Sequence, residues 1–216
     1  MKKGFVFDLD GVITDTAKLH YMAWKDLAAA LDIEIDLAFN EQLKGVSRME
    51  SLDKILAYGG KKDDFSIAQK ETLAEEKNKH YVELLQDLGP QDLLAGFKEF
   101  LDAAKEKQVP CVIASASKNA PFILKKLEVF DAFDAIVDPD QLTKGKPDPE
   151  IFIRAADTIH IAPEEAVGFE DAQAGIEGIK ACGMFAVGVE TTEPLYQADL
   201  RVKQLSELTV DELLEK

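Results

Sequence analysis

Short apolar runs recur along this chain with helical patterns between them, and that alternation restricts the fold more than any other feature. The runs are Phe5-Val6-Phe7, Val109 to Ala114, Ala135-Ile136-Val137, Ala166-Val167 and Phe185 to Val189. Between them lie helical patterns over Gly96 to Lys107, Ala120 to Leu127, Pro149 to Ile159 and Ala172 to Cys182, the last closed by Gly183. Strands alternating with helices imply a doubly wound, Rossmann-like α/β core with a parallel sheet.

One stretch departs from the rule. From Thr16 to about Leu88 only helical signals appear. Leu19, Met22, Ala23, Leu27, Ala30 and Leu31 follow the helical repeat of about 3.6 residues. Met49 to Tyr58 stops at Gly59-Gly60, and Ile67 to Leu88 runs from a candidate N-cap, Ser66, to Gly89-Pro90. An all-helical block inserted after the first strand reads as a cap. The expected division is a discontinuous core, residues 1–15 and 90–216, with a helical cap over 16–89.

The chain has 216 residues, 46% of them hydrophobic, which is enough for a real core. No run of about 18 or more apolar residues occurs, and acids interrupt the first apolar run at once. A cytoplasmic location is therefore expected. Cys111 and Cys182 read as free thiols within packed elements. The formal charge of −16 repels nucleic acid and anionic membranes. It also repels phosphorylated substrates, so a phosphate site here must be locally positive.

Four motifs carry chemistry, each at the end of a different expected strand. In FVFDLDGVITDT, strand alternation lets Asp8 and Asp10 face one point. Two carboxylates so close repel, and a cation is expected beside them. In ASASKN, residues 114–119, Ser115, Ser117, Lys118 and Asn119 offer donors to phosphate oxygens, although a serine N-cap explains the motif equally well. In Lys146-Pro147-Asp148-Pro149 the prolines suit a helix start, but the lysine before them has no such explanation. In Gly168-Phe169-Glu170-Asp171-Ala172 the acids suit either a helix dipole or a magnesium ion. Lys61, Lys62, Lys77 and Lys79 are assigned to solvated surface. A parallel sheet would bring all four strand ends to one edge, as a single site.

The order D-x-D-G, Ser, Lys-Pro, Glu-Asp resembles the haloacid dehalogenase superfamily of phosphotransferases over essentially the whole chain. DLDGVITDTAKLHYMAW, QLKGVSR and GFEDAQAGIEGIKACG resemble its β-phosphoglucomutase branch more closely. The resemblance implies Asp8 as phosphorylated nucleophile and Asp10 as general acid/base. It implies Mg²⁺ on Asp8, the carbonyl of Asp10, and Asp171, with Glu170 on or beside it. Ser115 and Lys146 would grip the transferring phosphoryl group, with Ser117, Lys118 and Asn119 near the other phosphate. Lys44, Gly45, Val46, Ser47, Arg48 and Ser51 would contact substrate from the cap, as would His20 and Trp24, although helix packing explains Trp24 equally well. The implied reaction interconverts β-D-glucose 1-phosphate and D-glucose 6-phosphate through β-glucose 1,6-bisphosphate. The expected protein is a monomer acting on small sugar phosphates, with no nucleic-acid or membrane partner.

Overall fold

The computed structural model describes residues 1–43, 46–190 and 194–216. The chain forms two compact units, one from Met1–Asp15 with Leu88–Lys216, the other from Thr16–Asp87. In chain order, β1 (Gly4–Phe7) is followed by α1 (Ala17–Ala30), α2 (Leu37–Glu41), α3 (Arg48–Tyr58) and α4 (Ile67–Leu84). Next come α5 (Phe97–Glu106), β2 (Cys111–Ile113), α6 (Ala120–Lys126), β3 (Ala135–Ile136) and α7 (Glu150–Thr158). The chain ends with β4 (Ala166–Glu170), α8 (Gln173–Ala181), β5 (Phe185–Val189), β6 (Leu200–Val202) and α9 (Val210–Leu214).

The first unit is a six-stranded sheet in the order β3-β2-β1-β4-β5-β6, with every pairing parallel. The strand order reverses between β1 and β4, the point where ligands bind in open α/β sheets. Alternation sorts the residues of β1 onto two faces. Phe5 and Phe7 meet the rings of Phe97 and Phe100 from α5, and Phe7 stacks on Phe169 at 4.5 Å. Val6 lies in the opposite cluster, with Ile151 and Phe152 of α7 and Ile176 and Ile179 of α8. The fully buried rings each contribute about 1.5–3 kcal/mol of transfer free energy. The five expected strands are present. β6 was not foreseen, since three residues with an arginine at the centre carry no apolar run.

The outgoing and returning segments of this unit are tied together. Thr14 bridges Leu93 in antiparallel sense, Thr14 Oγ1 donates to Asp92 O at 2.8 Å, and Leu94 N–H donates to Ile13 O at 2.9 Å.

The helical unit has its own core, built around Leu27 and Ala28 of α1, Leu52, Ile55 and Leu56 of α3, and Ala74 of α4. Ser47 and Ser66 cap α3 and α4, each with a reciprocal bond from the side chain three residues on, Glu50 or Gln69. α4 ends at Leu84, short of the expected Leu88, and tightens into a 3₁₀ turn over Leu85–Asp87. Lys77 corrects the surface assignment. It is 3% exposed, with Nζ donating to His20 Nδ1 at 2.7 Å and lying over the rings of Trp24 and Tyr81 at 4.5 and 4.7 Å. Aromatic faces and a neutral imidazole together take the place of water around the ammonium.

Candidate active site

The register of the central strands makes the site. Phe7 is level with Ile113 on β2 and with Phe169 on β4, so the chain leaves all three strands at one edge. Asp8 N–H donates to Phe169 O at 2.9 Å, and Ala114 N–H donates to Phe7 O at 2.8 Å. Asp8, Ser115 and Glu170 therefore emerge side by side, and all three are buried.

Lys146 joins them from the loop before α7. Its Nζ donates to Asp8 Oδ1 at 2.6 Å and to Glu170 Oε2 at 3.1 Å, and it lies 5.1 Å from the centre of the Phe152 ring. Burial opposes its charge, but the Asp8 and Glu170 carboxylates outweigh burial and raise its pKa. The Lys146-Pro147 peptide is cis. Burial first, then the Asp8 charge, push the Glu170 carboxyl well above the usual carboxylate range.

Asp8, Glu170 and Asp171 each offer a carboxylate oxygen within 4.8 Å of the others. The Lys146 ammonium meets two of these carboxylates, Asp8 and Glu170, and Glu170 Oε1 is buried with no hydrogen-bond partner. A cluster of hard oxygen donors that includes an unsatisfied buried oxygen fits a divalent cation such as magnesium. The Asp10 side chain is not part of this group, but its neighbour Gly11 lies against Asp171. Gly11 has φ +74°, and a Cβ there would stand 2.1 Å from Asp171 Oδ2. Only glycine gives both that backbone angle and that clearance. Gly175, on α8, is the corresponding seat for Glu170, since a Cβ there would fall 2.1 Å from Cδ of Glu170. Sequence reasoning passed over Gly175, although an isolated glycine inside a helical pattern is a signal of close packing.

The remaining candidates divide by unit. Ser115 Oγ accepts from Ser117 N–H at 3.2 Å and Ser117 Oγ from Asn119 N–H at 3.3 Å, which folds the 115–119 turn back on itself. Lys118 is exposed and ion-paired with Asp140. In the helical unit Trp24 and Ser51 are buried, and Val46, Ser47 and Arg48 are partly buried. Ser47 Oγ accepts from Glu50 N–H as the cap of α3. His20 stacks on Tyr81 at 3.8 Å, and burial, then the charges of Lys77 and Arg48, hold its pKa well below the usual imidazole value. Lys44 and Gly45 lie outside the described residues.

A sequence profile for haloacid dehalogenase-like hydrolases matches residues 2–183. The chain belongs to this family. Within the haloacid dehalogenase-like proteins it stands with the β-phosphoglucomutases. It is 48% identical over 214 residues to β-phosphoglucomutase from Bacillus subtilis (strain 168), covering 99% of this chain and 95% of that one. A crystal structure of β-phosphoglucomutase from Clostridium difficile superimposes with a TM-score of 0.96 at 46% identity, over 100% of this chain and 96% of the other. A more distant haloacid dehalogenase-like relative, phosphorylated carbohydrates phosphatase from Thermotoga maritima, is 30% identical over 83% of this chain and 81% of its own. Among the described residues no helix is long and apolar enough to cross a membrane.

Proposed function

We propose that this protein interconverts β-D-glucose 1-phosphate and D-glucose 6-phosphate by way of a phosphorylated Asp8 and β-glucose 1,6-bisphosphate. The observation that carries the phosphoaspartyl step is the ammonium of Lys146, held against Asp8 and Glu170 at the strand-order switch point. The sugar specificity rests on the near full-length likeness to the Bacillus subtilis enzyme.

In the first half-reaction the C6 hydroxyl oxygen bonds to phosphorus as the bond to Asp8 Oδ breaks, and Asp10 takes the hydroxyl proton. The bisphosphate then turns around. In the second half-reaction an Asp8 oxygen attacks the C1 phosphate, and Asp10 returns the proton to the leaving oxygen. Ser115 and Lys146 hold the equatorial oxygens throughout, so catalysis is mainly positioning and electrostatics. Magnesium would be held by Asp8, Asp171, the Asp10 carbonyl and Glu170, and when bound it supplies divalent charge against the phosphoryl oxygens.

The helical unit supplies the substrate contacts of His20, Trp24, Lys44, Gly45, Val46, Ser47, Arg48 and Ser51. Arg48 suits the phosphate not being transferred, because its planar fork binds two oxygens at once. Ser117, Lys118 and Asn119 meet the second phosphate from the core.

The test is a coupled assay for glucose 6-phosphate. It compares β- with α-glucose 1-phosphate, with magnesium and trace bisphosphate, while released phosphate is followed in parallel. Turnover of the β-anomer without stoichiometric phosphate release is expected. Phosphate released in step with substrate consumption, without glucose 6-phosphate, would favour a sugar-phosphate phosphatase, the reading supported by the Thermotoga maritima relative.

A further inference from the structure

The loop that delivers Lys146 starts after Leu142, which packs against the core cluster of α7 and α8, and runs on through exposed residues. Thr143 and Lys144 are exposed and Gly145 is half-buried, yet the Lys146 side chain two residues on is 1% exposed. What ties Thr143 and Lys144 to α7 is a single carboxylate. Glu150 Oε2 accepts from Thr143 N–H at 2.9 Å, Thr143 Oγ1 at 2.8 Å and Lys144 N–H at 2.9 Å. Glu150 Oε1 accepts from Arg154 Nε at 3.0 Å and Nη2 at 2.7 Å, a fork one turn along the same helix.

The other end of the loop is closed in the same way. Asp148 N–H donates to Gly145 O at 3.0 Å, Glu150 N–H donates to Asp148 Oδ1 at 3.0 Å, and Lys144 Nζ pairs with Asp148 Oδ2 at 3.1 Å. Residues 143–150 thus form a polar ring with Lys146 at its middle.

We infer that Glu150 is a positioning residue for Lys146: it binds the Thr143–Lys144 backbone to the first turn of α7 and so fixes the point from which the ammonium reaches Asp8. An acid in the first turn of a helix is ordinarily explained by the helix dipole. That explanation does not account for a carboxylate turned onto three donors of the preceding loop and braced from behind by arginine. The donors, Thr143 Oγ1 foremost and then Arg154, hold the Glu150 carboxyl down to about 2, so it accepts from all of them at neutral pH. The inference rests on the phosphoryl-transfer reading above, in which Lys146 must meet the reacting oxygens to within a fraction of an ångström.

The test compares three variants with the wild type by steady-state kinetics and thermal unfolding. Misplacing a catalytic group by about 1 Å costs up to about 10²-fold, so Glu150→Ala is expected to lower kcat at least about tenfold, with KM for β-glucose 1-phosphate within about threefold. Glu150→Gln keeps an acceptor oxygen for Thr143 and Lys144 and is expected to stay within about threefold of wild-type kcat. If Glu150→Ala does not fold, Glu150→Asp carries the same expectation, because its carboxylate is drawn back by one methylene. A merely structural role would make the alanine and glutamine variants equally active once corrected for folded fraction. That result, or Glu150→Ala within about twofold of wild-type kcat, overturns the inference.

Hydrolysis of acetyl phosphate is measured alongside, since it needs Asp8 and Lys146 but no sugar site. Wild-type protein that hydrolyses acetyl phosphate but does not isomerise glucose phosphates removes the proposed function and leaves the role of Glu150 to be read on acetyl phosphate. Wild-type protein inert toward both removes both.

Discussion

Replacing Lys146 by methionine isolates the ammonium charge from the volume that carries it. Methionine keeps most of the stem. The cation–π contact with Phe152, 5.1 Å away, is worth about 1 kcal/mol and is exchanged for a sulfur–aromatic contact of about 0.3–1.5 kcal/mol, so these two changes cancel. What is left is electrostatic: among the described residues, Lys146 is the cation that Asp8 and the fully buried Glu170 share, and methionine removes it. Removing one partner of a buried ion pair costs about 3–5 kcal/mol. Urea unfolding in the presence of a chelator should therefore show Lys146→Met less stable than wild type by about that amount. Magnesium should return more stability to the variant than to the wild type, because the extra uncompensated charge favours the cation. A ligand at about a hundred times its Kd contributes about 2.7 kcal/mol, which is within reach of the method. Turnover should fall by about 10²-fold or more, the usual cost of losing a charge donor to the transferring group. A loss below about 1 kcal/mol in chelator, or equal magnesium gains in the two proteins, would refute the account of Lys146 as the cluster's counter-ion.

Asp8→Asn keeps the shape of the nucleophile and removes its reactivity, so turnover in the coupled assay should vanish; measurable mutase activity would take the role away from Asp8. Arg48→Ala should raise KM for β-glucose 1-phosphate by roughly ten- to a hundredfold, since a hydrogen bond to a charged group contributes about 1.5–3 kcal/mol. An unchanged KM would count against its phosphate role. Glu150 supplies a pH test with a definite sign. Its pKa falls from 4.5 to about 2 on folding, so its stabilisation is complete above the higher value and is lost as pH falls through the lower. The stability gap between wild type and Glu150→Gln should be flat at neutral pH and close in the acid range between those two values, as read by urea midpoints. An equal gap at about pH 3 and pH 7 would contradict the hydrogen bonding described for this carboxylate.

The parts of the fold and site that were legible in the sequence are those written locally. An apolar strand running straight into Asp8, Ser115 or Glu170 states its own place, because a parallel sheet puts every strand exit on one edge. Lys146 was legible because nothing about a helix start calls for a lysine. Lys77 was not. A lysine in a polar helical stretch looks solvated, and its burial depends on His20, Trp24 and Tyr81, two of them on another helix more than fifty residues away. β6 and α2 are too short for periodicity to register. The Glu150 carboxylate was hidden for a different reason: at the level of sequence, an acid near a helix start always has an adequate explanation in the dipole.

The position of β1 in the sheet has a consequence for how the chain is made. This strand is central, flanked by β2 and β4, yet its partners begin only at Cys111 and Ala166. Ribosomes add about 5–20 residues per second, so a Phe-Val-Phe segment waits roughly 8–30 s for its second neighbour. Most of the residues between β1 and Cys111 are those of Thr16–Asp87, which carry a core of their own. During synthesis the helical insert is thus the first part able to become compact, while the strand that bears the nucleophile remains the longest-exposed sticky segment of the nascent polypeptide.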